Sequence, residues 1–276
     1  MLIDAHHHLW KHNDRDYRWM NDDGLRALRR DFLAQDLVEA TRDSSVHGTI
    51  AVQARQTVSE TEFLLDIASR EPLVRGVVGW LPLCSPDVGN DLERFSVDPK
   101  FKGVRHVVQD EPDDSFILRD DFNRGVALLK GFDLVYDILI FERHLPQAIE
   151  FVDRHPGQVF VLDHVAKPRI KESVLSPWDA RIKELAKRES VYCKVSGMVT
   201  EADWDGWSVQ QLKPYFDVVV EAFGPSRLMF GSDWPVLTLA SNYQNWVDTV
   251  QSLIAGLSTD ERGRIMSGTA REAYRL

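Results

Sequence analysis

Short runs of apolar, mostly β-branched residues recur eight times from one end of the chain to the other. They are Leu2–Ala5, Gly48–Gln53, Val74–Leu81, Lys102–Val108, Leu134–Ile140, Gln158–Asp163, Ser190–Val195 and Leu228–Gly231. Runs such as Val159–Leu162 and Ile50–Val52 are continuously apolar rather than alternating, as expected of strands covered on both faces. Between them lie amphipathic segments. Glu60 to Arg70 places Phe63, Leu64, Ile67 and Ala68 on one helical face. Leu145 to His155 does the same with Ile149 and Val152 and stops at Pro156-Gly157. Helices also fit Trp178–Lys187, Gln210–Phe223 and Tyr243–Ile254.

Eight strand–helix units predict an α/β fold of the (β/α)8 TIM-type, closed into one barrel rather than an open doubly wound sheet. No Gly-rich phosphate loop follows any strand, which argues against a dinucleotide-binding sheet. The 276 residues match the length such a barrel needs as a single domain spanning 1–276. A hydrophobic fraction of 43% supplies a sizeable core.

A net charge of −10 argues against binding a nucleic-acid backbone. No apolar run is long enough to span a bilayer, and no signal peptide is readable, so the expected location is the cytoplasm. Cys84 and Cys193 read as reduced thiols rather than a disulfide framework.

The polar residues fall at strand ends. The first run leads into His6-His7-His8, the fourth into Arg105-His106, and the sixth into Asp163-His164 and Lys167. The seventh leads into Lys194 and Ser196, and the eighth into Ser232-Asp233-Trp234. In a β/α barrel these ends and the loops after them form the active site. Strand alternation puts His6 and His8 on one face and His7 on the other. With His164 and Asp233 they make three imidazoles and a carboxylate, a mononuclear transition-metal set. The same four also make a metal-free set of one general base and three hydrogen-bond donors, and both readings stand at this point.

Around this set, Arg105 and His106 either bind substrate or close the barrel interior through a salt bridge. Lys194 either binds substrate or forms a structural ion pair. Trp10, Trp80, Trp207 and Trp234 offer ring faces for stacking, although with eight tryptophans some are purely structural. The stretch from Trp10 to Asp31 is a long, charged, aromatic loop of the kind that serves as a lid or substrate-binding segment. Gln109–Asp114 and Gly197–Trp207 are similarly loaded.

At Ile3–Trp10, Gly103–His106, Leu162–Pro168, Lys194–Gly197 and Gly231–Pro235 the chain resembles the amidohydrolase superfamily, and within it the lactonase branch. The resemblance extends from the first strand to the last. The chain most resembles sugar lactonases of the L-fuconolactonase and L-rhamnonolactonase kind, and Gln53–Gln56, His106–Pro112 and Phe230–Pro235 favour the first of these. The resemblance implies a distorted (β/α)8 barrel that hydrolyses a cyclic ester, a sugar lactone such as L-fuconolactone or another 6-deoxy-sugar lactone. Asp233 would be the general base, and His6, His8 and His164 would polarise the carbonyl directly or through a metal. Arg105, His106, Lys194, Trp80 and Trp10 would contact substrate. No bridging lysine is evident, so the resemblance implies either no required cofactor or one divalent cation, zinc first, on His6, His8, His164 and Asp233. Rival expectations are a metal-dependent decarboxylase on the same scaffold and a non-catalytic sugar-acid binding protein.

Overall fold

The computed structural model describes residues 1–276. Its eight strands are β1 (Leu2–His7), β2 (Val46–Val52), β3 (Val74–Gly79), β4 (Phe101–Val107), β5 (Val135–Leu139), β6 (Phe160–Leu162), β7 (Val191–Val195) and β8 (Leu228–Phe230). All pair in parallel in the order β1 to β8. The helices outside the sheet are α1 (Ala34–Thr41), α2 (Val58–Arg70), α3 (Val88–Ser96), α4 (Asp120–Leu129), α5 (Leu145–Arg154), α6 (Trp178–Leu185), α7 (Val209–Phe223), α8 (Tyr243–Leu253) and the short α9 (Thr259–Gly263) and α10 (Thr269–Ala273). Every expected strand is present, along with the five expected helices. Helices α1, α3 and α4 are short, and their apolar positions fell below the pattern read from sequence. No helix is long and apolar enough to cross a membrane.

The sheet curls into a barrel whose seam lies between β8 and β1. No continuous ladder closes it. Instead, His8 N–H donates to the Trp234 carbonyl at 2.7 Å and Asp233 N–H to the His6 carbonyl at 2.8 Å. Below them the buried Asp4 carboxylate does the stitching. It accepts from the Ser232 and His6 amides at 2.8 and 3.0 Å, the Ser232 hydroxyl at 2.6 Å and the Tyr243 hydroxyl at 2.8 Å. Four donors on one buried carboxylate satisfy its acceptor sites and fix the two strand ends that carry the catalytic candidates.

The barrel interior is layered. Ile3, Ala5, Ile50, Val52, Val78, Val135, Val161 and Met229 form an apolar floor, closed from outside by Ala270, Ala273 and Tyr274. Two residues further along their strands, Asp137 and Asp163 share the face of Val135 and Val161, because strand side chains repeat every second residue. The pairing of β1 with β2 slips between Asp4 and His7. Across that slip the inward-facing set changes from Ile3 and Ala5 to His6 and His8. Such irregularities re-aim side chains beside active sites.

Candidate active site

The floor is topped by a buried ionic layer, of which only Arg105 reaches the cavity above. Lys194 is fully buried; its ammonium lies 2.5 Å from Asp137, 2.9 Å from Asp163 and 3.2 Å from His6 Nδ1. Arg105 donates to Asp163 at 3.0 Å and to the Gln53 carbonyl. Tyr274 donates its hydroxyl to Asp137 at 2.8 Å. Two cations meet two carboxylates, so the layer is neutral as a whole, which is the condition for burying charge without a large penalty. Burial on its own would raise the Asp163 carboxyl, but Lys194, His6 and Arg105 outweigh it and hold it well below the ordinary carboxylate range.

Above this layer His6, His8, His164 and Asp233 converge, all buried. His6 Nε2 lies 3.2 Å from His8 Nε2 and 3.7 Å from Asp233 Oδ1. His8 Nε2 and His164 Nε2 lie 3.3 and 3.8 Å from the same oxygen. Each imidazole is oriented from behind. His8 Nδ1 donates to the Val52 carbonyl at 2.7 Å, His164 Nδ1 meets the Ser196 hydroxyl at 2.8 Å, and His6 Nδ1 faces Lys194 and Asp163. His7 turns away to Thr49, at 2.9 Å.

His164 rides on an unusual piece of backbone. His164, Val165, Ala166 and Lys167 all have positive φ, from 47° to 61°, forming a left-handed turn directly after β6. Non-glycine residues in this region cost roughly 1 kcal/mol or more each. The turn is held by the Trp178 indole donating to the Val165 carbonyl at 2.8 Å. Gly197, at φ +64°, makes room for the imidazole, since a Cβ there would lie 2.7 Å from His164 Nδ1.

Asp233 is buried, which by itself raises a carboxyl pKa, yet His164, His8 and His6 hold it well below its ordinary value. Burial lowers His6 well below its usual range and His164 to about 4. At neutral pH, therefore, an ionised carboxylate sits beside neutral His6 and His164. Because His8 gives its Nδ1 proton to a carbonyl, a neutral His8 points its Nε2 lone pair at Asp233 Oδ1, 3.3 Å away. Two lone pairs at that distance need a proton or a cation between them. Four ligand atoms around one tetrahedral zinc lie roughly 3.3 Å apart, given bonds of about 2.0–2.1 Å. His6, His8 and Asp233, spaced 3.2 to 3.7 Å apart, fit three ligands of one divalent cation, and His164 lies 3.8 Å from the same Asp233 oxygen.

His8, His164 and Asp233 floor a cavity of about 550 Å³ whose walls include Arg18, Trp19, Arg55, Gln56, Arg105 and Lys167, with His6 buried just beneath. A second cleft of about 580 Å³, bounded by Arg143, Arg169, Lys171 and Trp204, contains none of the four. Among the residues expected to meet substrate, Arg105 lines the first cavity and also forms the buried ion pair with Asp163 that was its other reading. The other four do not line it. Lys194 is sealed in the ionic layer. His106 spends both ring nitrogens, accepting from the Trp80 indole at 3.2 Å and meeting Glu111 at 2.7 Å, while its ring stacks on Phe116. That unit braces the loop delivering Gln109 and Asp110 to the rim. Trp10 is completely buried beneath the first loop, its indole donating to the Arg30 carbonyl at 2.8 Å. Arg18, Trp19, Arg55 and Lys167 took their place without being singled out as substrate contacts. Their loops have no periodicity to read, and strand-end position says nothing about which loop residues turn inward.

The barrel thus gathers three imidazoles and one carboxylate at the carboxyl ends of β1, β6 and β8. The amidohydrolase family model matches residues 3–276, and the chain belongs to that family. It is 40% identical to an L-fucono-1,5-lactonase of Burkholderia multivorans over all of this chain and 96% of that protein. A second L-fucono-1,5-lactonase, from Burkholderia ambifaria, is 38% identical over 99% of this chain and 95% of its own length. An amidohydrolase crystal structure from B. multivorans with bound zinc superposes with a TM-score of 0.96 at 40% identity, covering 100% of this chain and 99% of that one.

Proposed function

We propose that this protein is a carboxylic ester hydrolase that opens a sugar lactone to its acid, with L-fucono-1,5-lactone or a close 6-deoxy analogue as substrate. The observation that carries the reading is one buried carboxylate, Asp233, with three imidazole nitrogens within 3.3 to 3.8 Å of one of its oxygens, at the bottom of a cavity. It is supported by full-length similarity to two lactonases.

Opening a lactone needs a water made nucleophilic, a place for the oxyanion and a proton for the departing ring oxygen. Asp233 accepts the proton from water as the water attacks the carbonyl carbon. The Arg105 guanidinium, 3.4 Å from His6 Nε2, supplies positive charge on the side where the oxyanion develops. Protonated Asp233 then returns its proton to the ring alkoxide, which stays tethered in the product. A divalent cation held by His6, His8, His164 and Asp233 would supply Lewis acidity to the carbonyl and lower the pKa of its water.

The test is proton release from a panel of aldonolactones in weak buffer, read by indicator with and without a chelator. Acid production at the uncatalysed rate for every lactone would end the lactonase reading. Two further outcomes are expected. Since Asp233 titrates well below the usual range and His164 near pH 4, kcat/KM should stay flat from pH 5.5 to 8, apart from base hydrolysis of the lactone. It should fall only as pH drops toward 4, where protonation of His164 charges the cage while Asp233 is still ionised. An acid limb centred above pH 6 would take the role of base from Asp233. Zinc added to chelated protein should raise the melting temperature, and His8→Ala should weaken zinc binding by at least roughly 100-fold in calorimetry, as loss of one ligand in four predicts. Equal affinity in the variant would remove His8 from the ligand set.

A further inference from the structure

The chain has eight tryptophans, and Trp19 alone among them is exposed, at 37%. It is also the one aromatic side chain on the wall of the catalytic cavity. The indole N–H groups of Trp10, Trp80, Trp178, Trp204, Trp207 and Trp246 each donate to a protein acceptor; those of Trp19 and the buried Trp234 do not, and only Trp19 is exposed. Its neighbour Arg18, on the same wall, makes no ion pair or hydrogen bond.

This exposure is built rather than incidental. Trp19 lies between Tyr17 and Met20, both buried, which pin the segment to the barrel. The Arg29 guanidinium ties the same turn together by donating to the Met20, Asn21 and Asp22 carbonyls at 2.7 to 2.8 Å. Asp16 is bound to Arg55 from β2's end at 2.5 Å. The Trp19 ring stands edge-on to Trp10 at 5.9 Å, and Trp10 in turn packs toward His8 at 6.3 Å. A large apolar face with a spare donor is thus fixed at the mouth of an otherwise mostly polar cavity.

We propose that Trp19 is the specificity-determining residue of this site, its indole face taking the C–H face and C6 methyl of the lactone ring, with Arg18 binding the hydroxyl edge. The proposal rests on the lactonase reading. A pyranose lactone offers one face of C–H groups and a rim of hydroxyls, and an aromatic ring matches the first while a free guanidinium matches the second. A 6-deoxy sugar extends the apolar face by one methyl group.

The experiment compares wild type, Trp19→Ala and Trp19→Phe on L-fucono-1,5-lactone, on its 6-hydroxy counterpart and on δ-valerolactone, which has no hydroxyls. Trp19→Ala should raise KM for the deoxy lactone roughly tenfold with kcat within threefold, in line with a stacked aromatic contact. Its preference for methyl over hydroxymethyl should shrink toward unity, δ-valerolactone turnover should change less than threefold, and Trp19→Phe should retain most of the wild-type KM. An unchanged KM and preference in Trp19→Ala would overturn the proposal. So would an equal loss on all three substrates, which would make the loop a support for the chemistry rather than a reader of the sugar. A wild type inert toward all three would bring down the lactonase reading itself, and this inference with it.

Discussion

Asp233→Asn is expected to lower kcat for lactone opening by roughly 10³- to 10⁴-fold, the range for loss of a positioned general base. The amide keeps the shape of the carboxylate but cannot take a proton from water. Backbone geometry should survive, because Asp233 is placed by its own amide on the His6 carbonyl and not by its side chain. Binding of the product acid, measured by calorimetry, should therefore persist while turnover collapses. The measurement belongs in both metal-loaded and chelated protein, since Asp233 also completes the ligand set. A loss below tenfold in both states would remove Asp233 from the role of base.

Lys194→Met should destabilise the fold by about 3–5 kcal/mol, the cost of stripping one partner from a buried ion pair. In a chain of this size that corresponds to a melting temperature lower by roughly 10 °C. The physical reason is the charge count in the layer beneath the cage: with the ammonium gone, Asp137 and Asp163 share only Arg105 and the Tyr274 hydroxyl. The double variant Lys194→Met with Asp137→Asn restores the balance and should recover at least about 1.5 kcal/mol of the loss, a coupling that a double-mutant cycle resolves. A single variant as stable as wild type would mean the buried lysine carries no paired charge.

Much of the architecture was legible because it follows from local pattern. Continuous apolar runs marked strands covered on both sides, and eight of them at helical spacing left little besides a closed parallel barrel. The cage was legible too, since imidazoles and a carboxylate at the ends of separate strands have no structural reason to be there. The wall of the cavity was not. Trp10 and Trp80 looked as available as Trp19, yet two are tied into other packing and one faces the opening. Only one strand-end arginine was visible as a substrate contact, whereas Arg18, Arg55 and Lys167 also reach the cavity from loops and from the left-handed turn. A signal for the ionic layer and the seam did exist: Asp137 and Asp4, respectively, interrupt apolar runs, and a charge in such a run demands a buried partner.

The sequence by itself determined the barrel and the four residues of the cage, because strand periodicity and residue chemistry are local properties that survive without coordinates. Tertiary structure alone decided which cations are buried as neutral pairs and which face substrate. It also decided that His6 and His8 turn inward across a slip in β1, and that Asp4 stitches the seam bringing Asp233 to them. Those outcomes depend on contacts between residues up to 239 positions apart, and no local pattern encodes them.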